Sequence, residues 1–377
     1  MRVFDTFVFD GELALLQHRL AELYELVDRF VLVEAKRTYC NEPKPLCFAE
    51  HREQFSWADD KICAIALDNL GGPQLTPRER AAIQRNAIRL GLRDAAPDDV
   101  VLILDADEIP SRALLQKLRR EGLREPGRLA MTRHYEFLNT LAPASPCCPR
   151  VGAPFPMELG APRPGPWTKL DAAWFGHSGV AVRYMDLCGD PARAVTPSSA
   201  FELRFGSTLS AVIDDAGRHL TAVDSAARLE RKLGRVFHSE YASDRGMSVA
   251  HLAHCRRFGI HHRGWWYAES PQGALPEDLA RLAARHPEMM RRLPMSRMPL
   301  RKAMRSWAWL RTWQGLSDPA VRWVDDRLTS LLPLLLVPLL LADWVRGAVV
   351  LMLRFSSRSA IAPHRPHKAP ATAEAAR

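Results

Sequence analysis

One run of eleven residues, Val100–Pro110, constrains the fold more than any other part of the sequence. It begins with five consecutive aliphatic residues, the pattern of a parallel strand that is buried on both faces. It then carries Asp105, Asp107 and Glu108, and the terminal proline stops further ladder pairing. Because ligands of open α/β sheets bind at the carboxyl ends of strands, the run predicts a central strand with a ligand site at its end.

The spacing of the acids in this run indicates a bound cation. Asp105 and Asp107 are two residues apart, so on a continuing strand their side chains would share one face. Two carboxylates this close repel each other, and a divalent cation that carries phosphate oxygens would relieve the repulsion. A strand that ends in a solvated acidic turn is the alternative that the spacing leaves open.

Periodic segments elsewhere predict alternating strands and helices. The predicted strands, besides the aliphatic run, are Val3–Val8, Phe30–Val33, Ile62–Leu67 and Leu129–Thr132, and the predicted helices are Glu12–Val27, Pro77–Leu92 and Arg112–Arg120. Alternation of this kind around a parallel core predicts the α/β class, with helices packed on a sheet as a sandwich.

Several runs, taken in order, resemble glycosyltransferase family 17, a family of β-1,4-N-acetylglucosaminyltransferases, and the chain is similar to a bacterial-type member. The matching runs are Phe9–Leu13, Val27–Ala35, Lys44–Leu46, Gln84–Asn86, Asp105–Ser111, Gly217–Thr221 and Phe237–Glu240. The resemblance implies a GT-A type, Rossmann-like sandwich over residues 1–295. It also implies an inverting transfer of a sugar, with N-acetylglucosamine expected, from a UDP-sugar to a glycan or glycolipid acceptor.

Three alternatives to this function stay open from the sequence. The enzyme could use another nucleotide-hexose in surface polysaccharide synthesis, or the chain could be a non-catalytic, membrane-bound scaffold derived from the same fold. A nucleotidyltransferase would also use paired carboxylates and a metal ion. It would usually carry a basic, glycine-rich phosphate loop near its amino terminus, however, and the sequence has none there.

The metal site expected from the resemblance holds Mn²⁺ or Mg²⁺, which stabilise a departing diphosphate as Lewis acids. Asp107 is the expected main ligand, and Asp105 is expected to contact metal-bound water or the donor ribose. Glu108 is expected either to fix the loop or to orient a ligand. A late histidine often completes such sites, with His238 as the first candidate and His219 as the second.

Other expected site residues surround the donor and the acceptor. Asp10 and Glu12 follow the first strand, where the nucleoside is expected, and Arg85 is expected either to clamp phosphate or to pair with a sheet carboxylate. An inverting transfer also needs a base that removes the proton of the acceptor hydroxyl. Asp215 is the first candidate and Glu240 the second.

The matching runs depart from the family pattern at one aromatic position. The tryptophan of the family's Gly-Trp-His motif is Arg218 here, so an aromatic wall for a sugar or base is either missing or replaced by a guanidinium plane. The stretch Leu141–Pro166, where acceptor-side loops are expected, is dense in proline and glycine. Both features concern the identity of the acceptor more than the class of reaction.

The carboxyl-terminal part of the chain is expected to be a mainly helical, basic appendage. Residues 301–377 carry twelve Lys or Arg against five Asp or Glu, which is +7 of the total net charge of +9, and five of the ten tryptophans. Segment 296–355 is expected to associate with an anionic membrane surface or to pack as a helical subdomain, and 356–377 to be disordered. No nucleic-acid module accompanies the charge, and no leader peptide is recognised, so a peripheral position on the cytoplasmic face of the membrane is expected.

Overall fold

A computed structural model describes residues 1–142, 166–169, 175–189, 193, 195–206, 209–223, 256 and 270–291. The chain divides into two compact units, 1–315 and 316–377. The second unit falls outside the described residues, as do the predicted appendage 296–355 and the predicted tail 356–377.

The described strands form one mixed sheet. They are β1 (Val3–Val8), β2 (Arg29–Ala35), β3 (Ile62–Leu67), β4 (Val100–Asp105), β5 (Glu108–Pro110), β6 (Gly127–Tyr135), β7 (Phe137–Leu141), β8 (Phe175–Arg183) and β9 (Ala211–Thr221). Their order is β3-β2-β1-β4-β8-β6-β9-β5, and β7 pairs with β6. The first four strands of this order are parallel, while β8 is antiparallel to β4.

Helices connect and cover these strands. They are α1 (Leu13–Leu23), α2 (Cys47–Glu50), α3 (Pro77–Asn86), α4 (Arg112–Glu121), α5 (Tyr184–Cys188), α6 (Ala200–Phe205) and α7 (Glu277–Arg285), with 3₁₀ turns at Arg52–Ala58, Ala87–Gly91, Trp167–Lys169 and Pro287–Met289. The predicted helix 77–92 thus ends as an α-helix at Asn86 and tightens into a 3₁₀ turn. The predicted helix 12–27 is shorter than expected, and the predicted strand 129–132 is longer.

The central strand β4 is buried on both faces because helices pack against each one. Leu102 and Leu104 join a hydrophobic cluster with α1 and α4 on one face. Val101 and Ile103 join a second cluster on the other face, with α6 and the 3₁₀ turn after α3. Each fully buried aliphatic side chain of this size contributes about 1.5–3 kcal/mol. The predicted α/β sandwich around an aliphatic parallel strand is confirmed.

The order of the parallel strands creates a topological switch point between β1 and β4. The chain moves from β1 through β2 to β3, and then crosses back to place β4 on the other side of β1. The order β3-β2-β1-β4 is that of the first half of a Rossmann-like sheet, in which ligands bind in the crevice where the strand order reverses. The carboxyl ends of β1 and β4 are therefore the place to look for a site.

Gly217 occupies a position in β9 where a side chain would collide with β5. Its φ is +144°, and a Cβ there would lie 2.2 Å from the carbonyl oxygen of Ile109 and 2.7 Å from the Cα of Pro110. We expect Gly217→Ala to lower the free energy of unfolding by about 1–3 kcal/mol, because β5 and β9 must move apart. Denaturant unfolding measures this, with Gly273→Ala as the control, since Gly273 also has positive φ (+92°) but no atom within 4 Å of its Cβ position. If both variants lost the same free energy of unfolding, the close approach of β5 to Gly217 would not be the cause of the loss.

Candidate functional site

The switch point brings together the residues that follow β1 and β4. The two strands are paired in register with Val8 opposite Asp105, so the chain emerges from both at the same edge. Asp10 and Glu12 come directly after β1, and Asp107 comes directly after β4. The structure therefore gathers the acids predicted for the nucleoside side and those predicted for the metal side at one edge of the sheet.

The acidic run does not continue as a strand. Ala106 and Asp107 form a turn between β4 and β5, across which the backbone N–H of Asp105 donates to Oε2 of Glu108 at 2.8 Å. The expectation that Asp105 and Asp107 share one strand face does not hold, because the turn directs the two carboxylates toward different partners.

A buried arginine supports this turn. Arg19 of α1 is fully buried and donates to both carboxylate oxygens of Asp5 at 2.6 Å. Its Nη1 donates to the carbonyl oxygens of Asp105 and Glu108 at 3.1 and 2.8 Å. The guanidinium also lies 4.3 Å from the ring centroid of Phe7. Arg19 had no role assigned from the sequence, where its only signal is a charge within the apolar stripe of a helix.

Two further arginines hold acids of the run in ion pairs. Arg85 of α3 binds Asp105, and Arg204 of α6 binds both Asp105 at 3.0 Å and Glu108 at 2.6 Å. Burial alone would raise the pKa of Asp105, but the two guanidiniums outweigh that effect and hold the pKa well below its usual range. Of the two roles expected for Arg85, the structure shows pairing with a sheet carboxylate. Arg204 lies 99 residues from Asp105 along the chain, and no sequence pattern connects the two.

His219 faces two acids of the run through its two ring nitrogens. Its Nε2 lies 3.8 Å from Oδ1 of Asp107, while its Nδ1 lies 3.8 Å from Oε1 of Glu108 and 3.0 Å from Oγ of Ser178. Burial lowers the pKa of His219 and so favours its neutral form, which is the form that binds metal ions. A proton on Nδ1, held toward Ser178 and Glu108, would leave the lone pair of Nε2 directed toward Asp107.

Asp107 and Nε2 of His219 are the pair that fits a divalent cation. Within the described ranges no group of three or more His, Cys, Asp or Glu side chains is arranged to hold a metal ion. An ion here would take its remaining oxygens from water and substrate phosphate, as Mg²⁺ sites commonly do. Asp105 is not brought to this pair, because its two carboxylate oxygens bind Arg85 and Arg204.

The β1 side of the crevice carries its own charged pair. Asp10 forms an ion pair with Lys44 at 2.7 Å, and the backbone N–H of Asp10 donates to Oε2 of Glu12 at 2.9 Å. Tyr39, in the loop after β2, has these acids among its charged neighbours. Burial raises the pKa of its hydroxyl, which therefore stays a neutral hydrogen-bond donor. Neither Lys44 nor Tyr39 had a role assigned from the sequence.

The first candidate for the acceptor-side base, Asp215, is not brought to the switch point. Asp215 is exposed in β9, and its carbonyl oxygen accepts from Oγ of Ser111 at 3.1 Å. It lies four residues before His219 and beyond the end of β5, because the pairing of β9 with β5 runs only from Gly217 to His219. The second candidate, Glu240, and the first histidine candidate, His238, lie outside the described residues.

Arg218, which stands at the family's tryptophan position, has a partner that the sequence did not indicate. Its Nε and Nη2 donate to the carboxylate of Asp278 in α7, the Nη2 contact at 3.2 Å. Arg281 of the same helix binds Glu22 of α1 through two contacts of 2.6 and 2.7 Å. The guanidinium of Arg218 is therefore engaged in holding α7 to the sheet.

Among the residues that the structure describes, no helix has the length and hydropathy needed to cross a membrane. The tryptophan- and leucine-rich segment 296–355 is not among them. Its association with an anionic surface, and with it the location on the cytoplasmic face of the membrane, stays a prediction.

Fold and site together define an α/β protein with a ligand crevice at the switch point of its sheet, lined by acids and arginines. Residues 1–137 match glycosyltransferase family 17. The match agrees with the family that the sequence runs indicated and covers the part of the chain that includes β1 to β6 and the acidic run.

Named relatives share this amino-terminal segment. The β-1,4-mannosyl-glycoprotein 4-β-N-acetylglucosaminyltransferases of Rattus norvegicus and Homo sapiens are each 36% identical over 135 residues, which is 33% of this chain and 25% of theirs. The chain thus spans about a quarter of the length of these relatives.

Two solved structures are similar to this chain, each with a low TM-score. HddC from Yersinia pseudotuberculosis is 11% identical, with 58% of this chain and 91% of that one covered at a TM-score of 0.30. The 2-C-methyl-D-erythritol 4-phosphate cytidylyltransferase of Francisella tularensis is 15% identical, with 63% and 100% covered at a TM-score of 0.29. Scores this low carry no argument about fold or function.

Proposed function

We propose that this chain is a metal-dependent, inverting glycosyltransferase of the GT-A type. It transfers N-acetylglucosamine from UDP-N-acetylglucosamine to a glycan or glycolipid acceptor and forms a β-linkage. The observation that carries the proposal is the acidic run, which ends the central strand at the switch point and lies inside the segment that matches the family. The names of the matched relatives support the choice of sugar and linkage.

Asp107 and His219 are the residues that would hold Mn²⁺ or Mg²⁺. When bound, the ion supplies Lewis-acid stabilisation of the negative charge that develops on the departing diphosphate. Glu108 and Ser178 orient His219 from its Nδ1 side. The two guanidiniums paired with Asp105 and Glu108 balance the charges of those two acids and so reduce their repulsion of Asp107.

The nucleoside lies, in this proposal, over the ends of β1 and β2. Asp10 and Glu12 offer carboxylate oxygens there, while Lys44 and the neutral hydroxyl of Tyr39 offer donors. Asp105 borders the same region, and its side chain is 32% exposed despite its two ion pairs. Asp105 can therefore accept a hydrogen bond from a ribose hydroxyl while it keeps its ion pairs with Arg85 and Arg204.

Calorimetry of the full-length protein with nucleotides tests the donor and metal assignments. We expect UDP to bind in the presence of Mn²⁺ and to bind at least tenfold more weakly after the Mn²⁺ is removed by a chelator. The reason is that the phosphate oxygens of UDP supply ligands that complete the coordination of the ion. The protein should also release UDP slowly from UDP-N-acetylglucosamine in the presence of Mn²⁺. Binding of GDP or CMP but not UDP would contradict the donor, and metal-independent binding of UDP would contradict the cation site.

A further inference from the structure

Buried polar atoms without hydrogen-bond partners are concentrated at the end of β6. They include Oε1 of Glu136, Nε2 of His134 and Oγ1 of Thr221. Glu136 is 1% exposed and His134 is fully buried. The backbone N–H of Glu136 donates to the carbonyl oxygen of Thr221 at 3.1 Å, so the first and last of these residues are neighbours across β6 and β9. Because buried polar groups in proteins are nearly always hydrogen-bonded, this concentration indicates a place for water or a polar ligand.

The backbone of Glu136 is held in an unfavourable conformation. Glu136 is the single residue between β6 and β7, and its φ is +63°, a region that side chains other than glycine and asparagine seldom adopt. Such strain costs about 1–3 kcal/mol and persists where the surroundings impose it, often at functional sites. A carboxylate is thereby fixed at a position where a turn alone would favour glycine.

This polar cluster lies next to the proposed metal pair. Leu220 of β9 is opposite His134 of β6, and its backbone N–H donates to the carbonyl oxygen of Asp107 at 2.8 Å. Asp107 is thus two strand spacings from His134, about 10 Å, and Glu136 lies two residues further along, about 7 Å. The backbones of Asp107 and Glu136 are therefore about 12 Å apart, with β9 between them.

Across the sheet, β6 lies between β8 and β9, so it is paired directly with the strand that carries His219. Trp167 stacks on His134 with ring centroids 5.4 Å apart and an interplanar angle of 11°, so an aromatic side chain adjoins the cluster. Aromatic surfaces of this kind suit the apolar face of a sugar ring.

We infer that Glu136 is the base that accepts the proton of the acceptor hydroxyl, an inference that rests on the proposed function. In this step the acceptor oxygen forms a bond to the anomeric carbon of the donor while the bond from that carbon to the diphosphate oxygen breaks. The bonding electron pair leaves with UDP, and the hydroxyl proton passes to Oε1 of Glu136.

The protonation of Glu136 agrees with such a role. Burial raises its pKa to about 8, opposed by Arg256, Arg291 and a hydrogen bond with Tyr135. The two guanidiniums lie over the ring of Phe137, 4.3 and 5.8 Å from its centroid. A base whose pKa is near the working pH combines adequate strength with adequate population of the charged form. The carboxylate form grows as the pH rises through the pKa, so the rate should rise with pH over that interval.

The test compares Glu136→Gln with the wild-type protein in two assays of the full-length chain. UDP release from UDP-N-acetylglucosamine with Mn²⁺, where water is the acceptor, should fall about 10²–10⁴-fold and lose its rise with pH, since a general base contributes that much. Binding of UDP with Mn²⁺ should change less than threefold, because Glu136 does not touch the nucleotide. Glu125→Gln, an exposed glutamate before β6, is the matched control and should behave as wild type.

Each result separates the two proposals. If the wild-type protein neither binds UDP with Mn²⁺ nor releases UDP from the donor, the proposed function fails. If it does both, and Glu136→Gln is folded and as active as wild type with the same pH profile, the assignment of Glu136 is overturned while the function stands. Should Glu136→Gln fail to fold, Glu136→Asp decides. This variant keeps the carboxylate on a side chain that is one methylene shorter, so its rate of UDP release should be lower but should still rise with pH. An unchanged rate, or a rate that no longer rises with pH, would also overturn the assignment.

Discussion

Asp107→Asn is expected to lose metal-dependent UDP release from UDP-N-acetylglucosamine by a factor on the order of 100 or more. The variant replaces a charged oxygen ligand by a neutral amide at the one acid of the run that faces Nε2 of His219. Affinity for Mn²⁺, measured by titration with the metal alone, should fall together with affinity for UDP. The melting temperature should change little, because Asp107 lies in a turn at the edge of the sheet.

A control variant distinguishes this effect from a general loss of surface charge. Asp98→Asn removes an acid from an exposed ion pair with Arg193, and its activity and metal affinity should equal those of wild type. If the Asp107→Asn protein kept wild-type activity and Mn²⁺ affinity, Asp107 would not be a ligand of the metal ion. The acidic run would then be a structural turn, the alternative that its spacing left open.

The sequence predicted the sheet and its ligand edge because both depend on local patterns. Five aliphatic residues followed by acids identify a buried strand and its carboxyl end without knowledge of any contact. In the structure Val8 is opposite Asp105, so the ends of β1 and β4 meet at one edge. The predicted position of Asp10 and Glu12 beside the acidic run depends on nothing more than this register.

The partners of the acids could not be predicted, because they come from distant parts of the chain. Arg204 reaches Asp105 across 99 residues, and Arg19 reaches Glu108 across 89. The expectation that Asp105 and Asp107 share one face rested on their spacing, which does not reveal the turn at Ala106 and Asp107. Nor does spacing show that Asp215 lies beyond the end of β5, since that position depends on which part of β9 pairs with β5.

Arg19→Met is expected to lower the free energy of unfolding by about 3–5 kcal/mol. Arg19 and Asp5 are both fully buried, and Asp5 would be left as an uncompensated charge in the core. The carbonyl oxygens of Asp105, Ala106 and Glu108 would also lose the donor that they share. Chemical denaturation at neutral pH measures the loss.

The double variant Asp5→Leu/Arg19→Met shows how much of that loss comes from the stranded charge and how much from the turn. Replacing both partners of a buried ion pair by apolar side chains is often close to neutral for stability, so we expect the double variant to recover most of the stability that the single variant loses. It should not recover UDP release from the donor, because the three carbonyl oxygens of the acidic turn still have no guanidinium beneath them and Asp107 is no longer held in place. A single variant within about 1 kcal/mol of wild type would mean that the pair contributes little. A double variant with full activity would mean that the turn holds its shape through Glu108 and the pairing of β5 with β9 alone.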